Sequence, residues 1–154
     1  MDNQIVITGA VGPRADLKAL QWLADCVAEI QPAEIVCIEG STELLDRLRE
    51  VYDGPIGVHS GSAETSHRVI ELPAVYGIAP GWISTHVEDA RHTSPVPGNT
   101  ALNAAKRFGK SVVLGHTGQM GIGSHSTGSE GTTVTGVEVG HLGRRPRARS
   151  TARD

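Results

Sequence analysis

The first half of the chain alternates short apolar runs with amphipathic patterns. Residues 5–7, 35–38 and 56–58 are apolar runs bounded by turn residues, which is typical of buried strands. Between these runs, apolar residues recur at three- and four-residue steps and therefore lie along one face of a helix. They are Leu17, Leu20, Leu23, Val27 and Ile30 in the first pattern, and Leu44, Leu45, Leu48 and Val51 in the second. This β-α-β-α-β order favours a parallel sheet with right-handed crossovers.

Turn residues mark the ends of these two helices. Pro13 is positioned to open the first helix, because its fixed φ suits the first helical turn, and Pro32 is positioned to end it. Ser41 is a favourable N-cap for the second helix, which Gly54 and Pro55 close.

The second half of the chain has a different pattern. Strands are predicted over residues 71–78, 82–87, 111–114 and 132–139. In the second of these strands, alternation places Trp82, Ser84 and His86 on one face. This succession of strands and helices predicts an α/β fold.

One helix and one glycine-rich segment complete the prediction. The helix is expected to begin with Asn99 or Thr100 as its N-cap and to end at Gly109. Residues 115–131 are rich in glycine and are predicted to form a loop region. We therefore expect a single domain over residues 1–142.

Composition supports one soluble domain. At 154 residues the chain suits one core, and with 38% apolar but only 3% aromatic residues that core must be mainly aliphatic. No apolar run approaches the roughly 20 residues needed to cross a bilayer. The start of the chain also lacks the pattern of a secretory signal, so we expect a cytoplasmic protein without membrane contact. Cys26 and Cys37 are expected to be small buried hydrophobes rather than a disulfide.

Residues 143–154 form a basic tail. They contain five arginines and one aspartate, so the rest of the chain is more acidic than the formal charge of −3 implies. Such runs are typical of disordered, solvated tails, and they also suit contact with polyanions. We expect a disordered tail, with nucleic acid as an open alternative partner.

Residues 78–142 resemble the C-terminal part of a known enzyme family. The strings IAPGWISTHVED, NTALNAAKRFGKSVVLGHTGQMGIGSHSTG and TGVEVGHL are similar to calcineurin-like metallophosphoesterases encoded by bacteriophages. The N-terminal half is similar in its order of elements and in short strings such as VCIEG. The resemblance implies two packed mixed β-sheets flanked by helices. It also implies a site at the strand ends, where members of the family hold two metal ions that act on a phosphate ester.

The resemblance also implies that most of the metal ligands have been replaced in this chain. Positions that hold aspartate, asparagine or histidine in the family carry residues without such donors here. They are Gly9 and Val11 in the first motif, Gly40 in the second, Ser62 and Ala63 in the third, and Gly118 in the last. Two histidines are retained, His86 in the fourth motif and His116 in the last. Glu39, beside Gly40, is expected on the opposite face of its strand.

With these replacements, the resemblance implies that one metal loses every side-chain ligand and that the other retains two imidazoles. A zinc site generally needs at least three protein ligands, and His86 and His116 supply two. We therefore expect no cofactor, or at most one divalent metal held weakly by these two histidines, unless another side chain contributes. The side chains considered for that role are His59, His67, His92, His125, Glu39 and Glu88.

An emptied cleft favours binding without hydrolysis. Glycines at strand ends let backbone N–H groups approach an anion, and nearby hydroxyl groups add hydrogen bonds. We therefore expect a degenerate homologue, with no catalytic residue, that binds a phosphate-containing ligand such as a nucleotide or a cyclic-nucleotide signal of host immunity. The candidate ligand-binding residues are Gly9, Gly40, Ser62, Ser84, His86, His116, Thr117 and Gly118.

Two other functions are left open by the sequence. A structural, virion or regulatory scaffold would keep the fold and use its surface, and the exposed sheet edges of a shortened domain favour a homo-oligomer. A residual metal-dependent phosphodiesterase would need a rearranged site that recruits His67, Glu88 or Asp89. Metal content and turnover distinguish this enzyme from the other two candidates.

Overall fold

The computed structural model describes residues 4–7, 16–61, 68–86, 93–115, 117–129 and 131–140. Within these ranges the helices are α1 (Leu17–Ile30), α2 (Thr42–Val51) and α3 (Asn99–Phe108). The strands are β1 (Gln4–Ile7), β2 (Glu34–Gly40), β3 (Ile56–Gly61), β4 (Val69–Glu71), β5 (Val75–Ala79), β6 (Trp82–Thr85), β7 (Ser111–Leu114), β8 (Met120–Thr127) and β9 (Thr132–Val139). None of these three helices is long and apolar enough to span a bilayer.

The first sheet carries the two N-terminal helices. Its strands lie in the order β1-β2-β3-β4, and each described pair is parallel, as the β-α-β-α-β pattern predicts. The apolar stripes of α1 and α2 pack against alternate side chains of β2 and β3. The buried cluster between them contains Leu20, Leu23, Val27, Ile35, Cys37, Leu44, Leu45, Leu48, Tyr52, Ile56 and Val58.

Side-chain caps define where these helices begin. The Asp16 carboxylate accepts a hydrogen bond from the Lys18 N–H at the start of α1. Pro13, which the sequence favours as the opening residue, lies outside the described residues. The Ser41 hydroxyl accepts from the Leu44 N–H at the start of α2, which confirms the predicted cap.

Both cysteines are free, as predicted. Cys37 is buried in β2, and burial raises the pKa of its thiol to about 12. Cys26 is half-buried on α1. The Cys37 thiol therefore stays protonated near neutral pH and acts as a small apolar side chain.

The second sheet has the order β5-β6-β7-β9-β8 and combines parallel with antiparallel pairs. One face is covered by α3, which ends at Gly109 as predicted. The cluster under the helix contains Ile83, Ala101, Ala104, Ala105, Val112, Leu114 and Val134. Because Ile83 faces α3, the neighbouring Ser84 faces the first sheet, as alternation predicts.

The segment predicted as one strand over residues 71–78 is divided between the two sheets. β4 pairs with β3, whereas β5 pairs with β6. Between them, Leu72 is buried and its N–H donates to the Val58 carbonyl. Pro73 follows and has no N–H with which to continue a ladder. The prediction of a single strand is therefore wrong, because the chain passes from the first sheet to the second at this point.

Residues 120–127, predicted as part of a glycine-rich loop, form the edge strand β8 and pair with β9 over their whole length. Their glycines admit the backbone that leads into α3. A Cβ at Gly121 would lie 2.5 Å from the Gly98 nitrogen, and a Cβ at Gly136, on β9, would lie 2.1 Å from the Leu102 nitrogen. The loop prediction is wrong because these glycines permit close packing rather than turns.

The N-terminus of α3 is capped from β9. Gly98 occupies the N-cap position with φ of 83° and offers no side chain. The buried Glu138 carboxylate accepts hydrogen bonds from the Thr100 N–H at 2.9 Å and the Ala101 N–H at 3.2 Å. The prediction that Asn99 or Thr100 caps this helix is therefore wrong.

The fit between α3 and β9 predicts a large cost for one methyl group. Gly136→Ala should destabilise the protein by about 2 kcal/mol or more, because the new Cβ meets helix backbone that no rotamer change can move. Chemical denaturation in urea measures this difference.

Gly77→Ala is the matched control, since Gly77 is also a strand glycine and a Cβ there would meet nothing within 4 Å. It should leave the free energy of unfolding unchanged or raise it by up to about 1 kcal/mol. Equal effects of the two substitutions would contradict the close approach of α3 to β9.

Candidate functional site

The carboxyl ends of β2 and β6 meet at one end of the two-sheet structure. Glu39 is the penultimate residue of β2, and His86 directly follows β6. Glu39 Oε1 lies 3.3 Å from His86 Nε2. The His86 side chain is 12% exposed and the Glu39 side chain 27% exposed, so the pair is mostly enclosed but accessible to solvent.

The position of Glu39 corrects an expectation from strand alternation. The sequence predicts that its side chain points away from the site, but the carboxylate reaches His86. A Cβ at Gly40 would point toward Val58 and Leu45, on the face covered by helices. Glu39 is therefore the residue that faces the second sheet at the end of β2.

Gly40 is a tightly packed position. It is buried, and a Cβ there would lie 2.9 Å from Val58 Cγ1. The resemblance assigns the bridging aspartate of the family to this residue, and a carboxylate here would have to displace Val58. Packing thus accounts for the glycine, and its backbone alone is left for the predicted ligand contact.

A second polar pair lies between the sheets. His59 Nε2, on β3, is 2.8 Å from the Ser84 hydroxyl oxygen on β6. Ser84 is fully buried, and its hydroxyl also lies 3.5 Å from the Tyr76 carbonyl oxygen. The predicted ligand-binding residue Ser84 is thus occupied by internal partners, and its burial does not suit a nucleophile.

Burial lowers the pKa of His59 below its ordinary value. The nearby Pro73 carbonyl opposes this lowering, and His86 adds to it. Nδ1 is buried and forms no hydrogen bond of good geometry with the described residues, although Pro73 is close. His59 is therefore a neutral imidazole in the native protein near pH 7.

Thr117, another candidate ligand-binding residue, is tied to the protein interior. Its hydroxyl donates to Glu138 Oε2 at 3.0 Å and accepts from the Gln119 N–H at 3.2 Å. Gly118, beside it, has φ of 63°, a left-handed conformation that glycine adopts without strain. Both residues therefore have structural roles in the loop after β7, and ligand contact by either stays a prediction.

Several predicted site residues lie outside the described residues. They are the candidate ligand-binding residues Gly9, Ser62 and His116, and the further side chains His67, Glu88, Asp89 and His92. Within the described part of the chain, no three His, Cys, Asp or Glu side chains come close enough to hold a metal ion. Glu39 and His86 are two donors, and this set does not fit a two-metal centre.

The polar residues that the sequence interpretation missed share one signal. Glu39 and His59 are predicted only as additional metal donors, with Glu39 expected on the far face of its strand, and Glu138 has no predicted role. Each lies on a strand that carries buried apolar residues, where a polar side chain needs an internal partner. That rule identifies the positions, although it does not identify the partners.

Comparison with known proteins places the chain among phage proteins. No protein-family model matches it. It is similar to the Gene 54 protein of Mycobacterium phage L5, at 30% identity, and to the Gene 54 protein of Mycobacterium phage D29, at 29%. Each alignment covers 90% of this chain and 78% of the relative. The aligned stretch of 199 residues exceeds the 154 of this chain, so the relatives carry segments that this chain lacks.

Solved structures with the same architecture identify the fold. Vps29 of Chaetomium thermophilum matches with a TM-score of 0.56 at 12% identity, over 91% of this chain and 73% of that protein. A single mutant of Vps29 from Entamoeba histolytica matches with a TM-score of 0.52 at 14% identity, over 90% and 72%. Both have the calcineurin-like metallophosphoesterase fold, so the predicted fold class is confirmed. At these identities the likeness concerns the fold alone.

The buried His59 should make the native protein sensitive to acid. Because its pKa is lowered in the folded state, the unfolded chain binds the proton first as the pH falls below about 6.5. This contribution to stability is complete above the unfolded pKa and is lost as the pH falls toward the folded pKa. His59→Gln should remove this part of the pH dependence.

Urea denaturation of both proteins between about pH 7 and pH 5 measures the effect. The carboxylates contribute equally to both proteins, so the difference between the two curves isolates the imidazole. Parallel curves over this range would show that His59 titrates alike in the folded and unfolded states.

Proposed function

The chain belongs to the family of the mycobacteriophage Gene 54 proteins, and we propose that it binds a phosphate-containing ligand without hydrolysing it. The observation that carries this proposal is the Glu39–His86 pair at the strand tips, beside a packed Gly40. The strand ends thus keep an accessible polar pair, whereas the position that the resemblance assigns to the bridging aspartate is a glycine.

The absence of hydrolysis follows from the donor set. Metal-assisted attack on a phosphate ester requires ions that polarise the ester and lower the pKa of a bound water. Within the described residues no third His, Cys, Asp or Glu side chain joins Glu39 and His86 closely enough to hold a metal ion, and the bridging position is Gly40. Ser84 is fully buried and bonded to His59, so its hydroxyl is not placed to act as a nucleophile instead of a metal-bound water.

Charge decides how a phosphate is held here. The Glu39 carboxylate alone repels an anion, so the favourable contacts come from the imidazole N–H of His86 and from backbone N–H groups at the strand ends. A single divalent ion would offset the same repulsion. Glu39 and His86 would hold it with His116, the third donor predicted from the sequence, and three protein ligands is the minimum for zinc. Binding without any ion is the simpler form of the proposal.

The proposed ligand class follows from the phosphate requirement and from a phage setting, since the relatives of this chain are phage proteins. A nucleotide or a cyclic-nucleotide signal of the infected cell carries the required phosphate, and a protein that holds it without cutting it acts as a sponge for that signal. The proposed location is the host cytoplasm, where such messengers occur.

Isothermal titration calorimetry with a panel of linear and cyclic nucleotides tests the proposal. We expect at least one to bind, and we expect His86→Ala to weaken that binding about tenfold or more through loss of a charge-assisted contact. Chromatography of the nucleotide after incubation should show no product.

His125→Ala is the matched control, because His125 lies in the middle of β8 rather than at a strand tip. It should bind as tightly as the unmodified protein. Absence of binding across the panel would refute the proposal, whereas turnover with stoichiometric metal would favour the residual phosphodiesterase.

An exposed apolar edge favours a scaffold as the second candidate. β8 is an edge strand of eight residues without Asp, Glu, Lys, Arg or Pro. Met120 is 81% exposed and Ile122 is 72% exposed, both on the face opposite α3. Edge strands are usually protected by charges or proline, so an unprotected one suits pairing with another chain. Self-association through β8 would give the homo-oligomer that the scaffold function needs.

Lysine on this edge should abolish self-association. If β8 pairs between two copies, the double substitution Met120→Lys with Ile122→Lys places like charges at the interface and should yield a monomer. Sedimentation velocity measures the change.

Trp22→Lys is the control, since Trp22 is also an exposed apolar residue, at 64%, but lies on α1. That variant should keep the assembly of the unmodified protein. A monomeric unmodified protein, or equal dissociation by both changes, would exclude β8 as the interface.

A further inference from the structure

The charged side chains are distributed unevenly between the two halves of the protein. The described residues up to 71, which form the first sheet and its helices, carry ten carboxylates and four cations. The described residues from 75 onward carry three cations, Lys106, Arg107 and Lys110, and one carboxylate, the buried Glu138. Glu138 caps the N-terminus of α3, whereas the three cations lie at or just after its C-terminus. Among the described residues of the second half, no exposed carboxylate therefore opposes these cations.

The three cations are exposed and close together in the chain. Lys106 and Arg107 belong to the last turn of α3. The chain then turns at Gly109, whose φ is 62°, and the Lys110 N–H donates to the Ala105 carbonyl at 3.3 Å, so Lys110 stays beside that turn. None of the three forms an ion pair with another described residue. Their charge is therefore available to an anion from solution.

An aromatic ring lies among these cations. Phe108 is 36% exposed, and the guanidinium carbon of Arg107 lies 5.1 Å from the centroid of its ring. Aromatic rings and guanidinium planes both stack on nucleobases, and lysine ammonium groups pair with phosphates. We refer to Lys106, Arg107, Phe108 and Lys110 together as the basic patch.

The basic patch lies at the end of the second sheet opposite the candidate site. β6 and β7 are parallel, so Lys110, which precedes β7, and His86, which follows β6, are at opposite ends. The Ser111 N–H donates to the Gly81 carbonyl at 2.9 Å, which places the exposed and uncharged β5–β6 turn beside Lys110. A ligand on the basic patch would therefore not compete with a phosphate at His86.

The helix dipole explains only part of this composition. Cations in the last turn stabilise a helix, which accounts for Lys106 and Arg107. The dipole does not account for an exposed phenylalanine, and an acidic protein partner would not require one. Unpaired cations combined with an exposed ring are instead typical of surfaces that bind single-stranded nucleic acid.

We propose that the basic patch binds single-stranded nucleic acid. Lys106, Arg107 and Lys110 contact phosphates, and Phe108 with the Arg107 guanidinium stacks on a base. Phosphate contacts carry no sequence information, so we expect binding without a strong sequence preference. The inference goes beyond the proposed function, because it concerns a different surface and a different ligand.

Fluorescence anisotropy with a labelled oligothymidylate of about 15 nucleotides tests the proposal on the whole chain. The patch variant combines Lys106→Gln, Arg107→Gln and Lys110→Gln. It should bind about tenfold more weakly, or worse, at about 0.1 M salt. Its plot of log affinity against log salt concentration should be shallower by about 2, because each lost phosphate contact on a single strand removes about 0.7 from the slope.

Three further variants locate the binding, and urea denaturation checks that each is folded. Lys18→Gln with Arg47→Gln and Arg68→Gln removes the same charge from the first half, and it should leave affinity and slope unchanged. Replacing the five arginines of residues 143–154 by glutamine removes the tail's charge, and the effect of the patch variant should persist in that background. Phe108→Leu keeps an apolar side chain but no ring, and it should weaken binding about fivefold at an unchanged slope.

Each contrary result would overturn the proposal in a different way. Absence of binding would refute it outright. Equal losses in the patch variant and the first-half variant would mean that net charge alone explains binding, and loss of the patch effect without the tail arginines would assign binding to the tail. Equally tight binding of polyglutamate, together with no effect of Phe108→Leu, would make the patch a general anion surface. None of these results alters the test of phosphate binding at His86.

Discussion

The backbone of α3 lies almost directly on β8 and β9, and this close approach determines the geometry of the C-terminal half. Side chains normally separate a helix from a sheet, but Gly121 and Gly136 leave no side chain where the helix and the segment before it cross. The helix N-terminus therefore comes within reach of Glu138, whose carboxylate satisfies two N–H groups that no residue of the helix could satisfy. The same carboxylate holds Thr117, so the packing of one helix also places the loop after β7.

Periodicity predicted most of the fold because it reports burial, and burial decides where the elements lie. The apolar stripes of α1 and α2 pack against the parallel sheet as expected. Ser41 caps α2 through a contact with a residue three positions away, which the sequence predicts. The failures all involve partners distant in sequence. The glycines of β8 suggest a loop in the sequence, but in the structure they allow the segment that leads into α3 to pack closely on the strand. The cap of α3 comes from a residue 38 positions away. Likewise, Pro73 interrupts an apolar run, but the sequence does not show that the residues before and after it join different sheets.

The candidate site was predictable in location but not in composition. The resemblance implied a site at the strand ends, and His86 does lie at the end of β6 facing the first sheet. It did not identify Glu39 as the partner, because alternation along β2 fails at its last residues, where Gly40 turns toward Val58. Ser84 and Thr117 have the right residue type for ligand contacts, yet His59 and Glu138 occupy them. A hydroxyl in a sequence carries no information about whether an internal partner has already taken it.

Side-chain hydrogen bonds join the two sheets at and near the strand tips. Carboxylates that surround two metal ions repel one another when the ions are removed. The stability of a fold that contains such a cluster therefore depends on the metal. In the part of the chain that the structure describes, Glu39 is paired with His86, and the neutral His59 between the sheets bonds the Ser84 hydroxyl through Nε2. Side-chain hydrogen bonds between the two sheets thus hold the described strand ends. Any ligand or cation that binds this pair in the native state would therefore add to the stability that these hydrogen bonds supply.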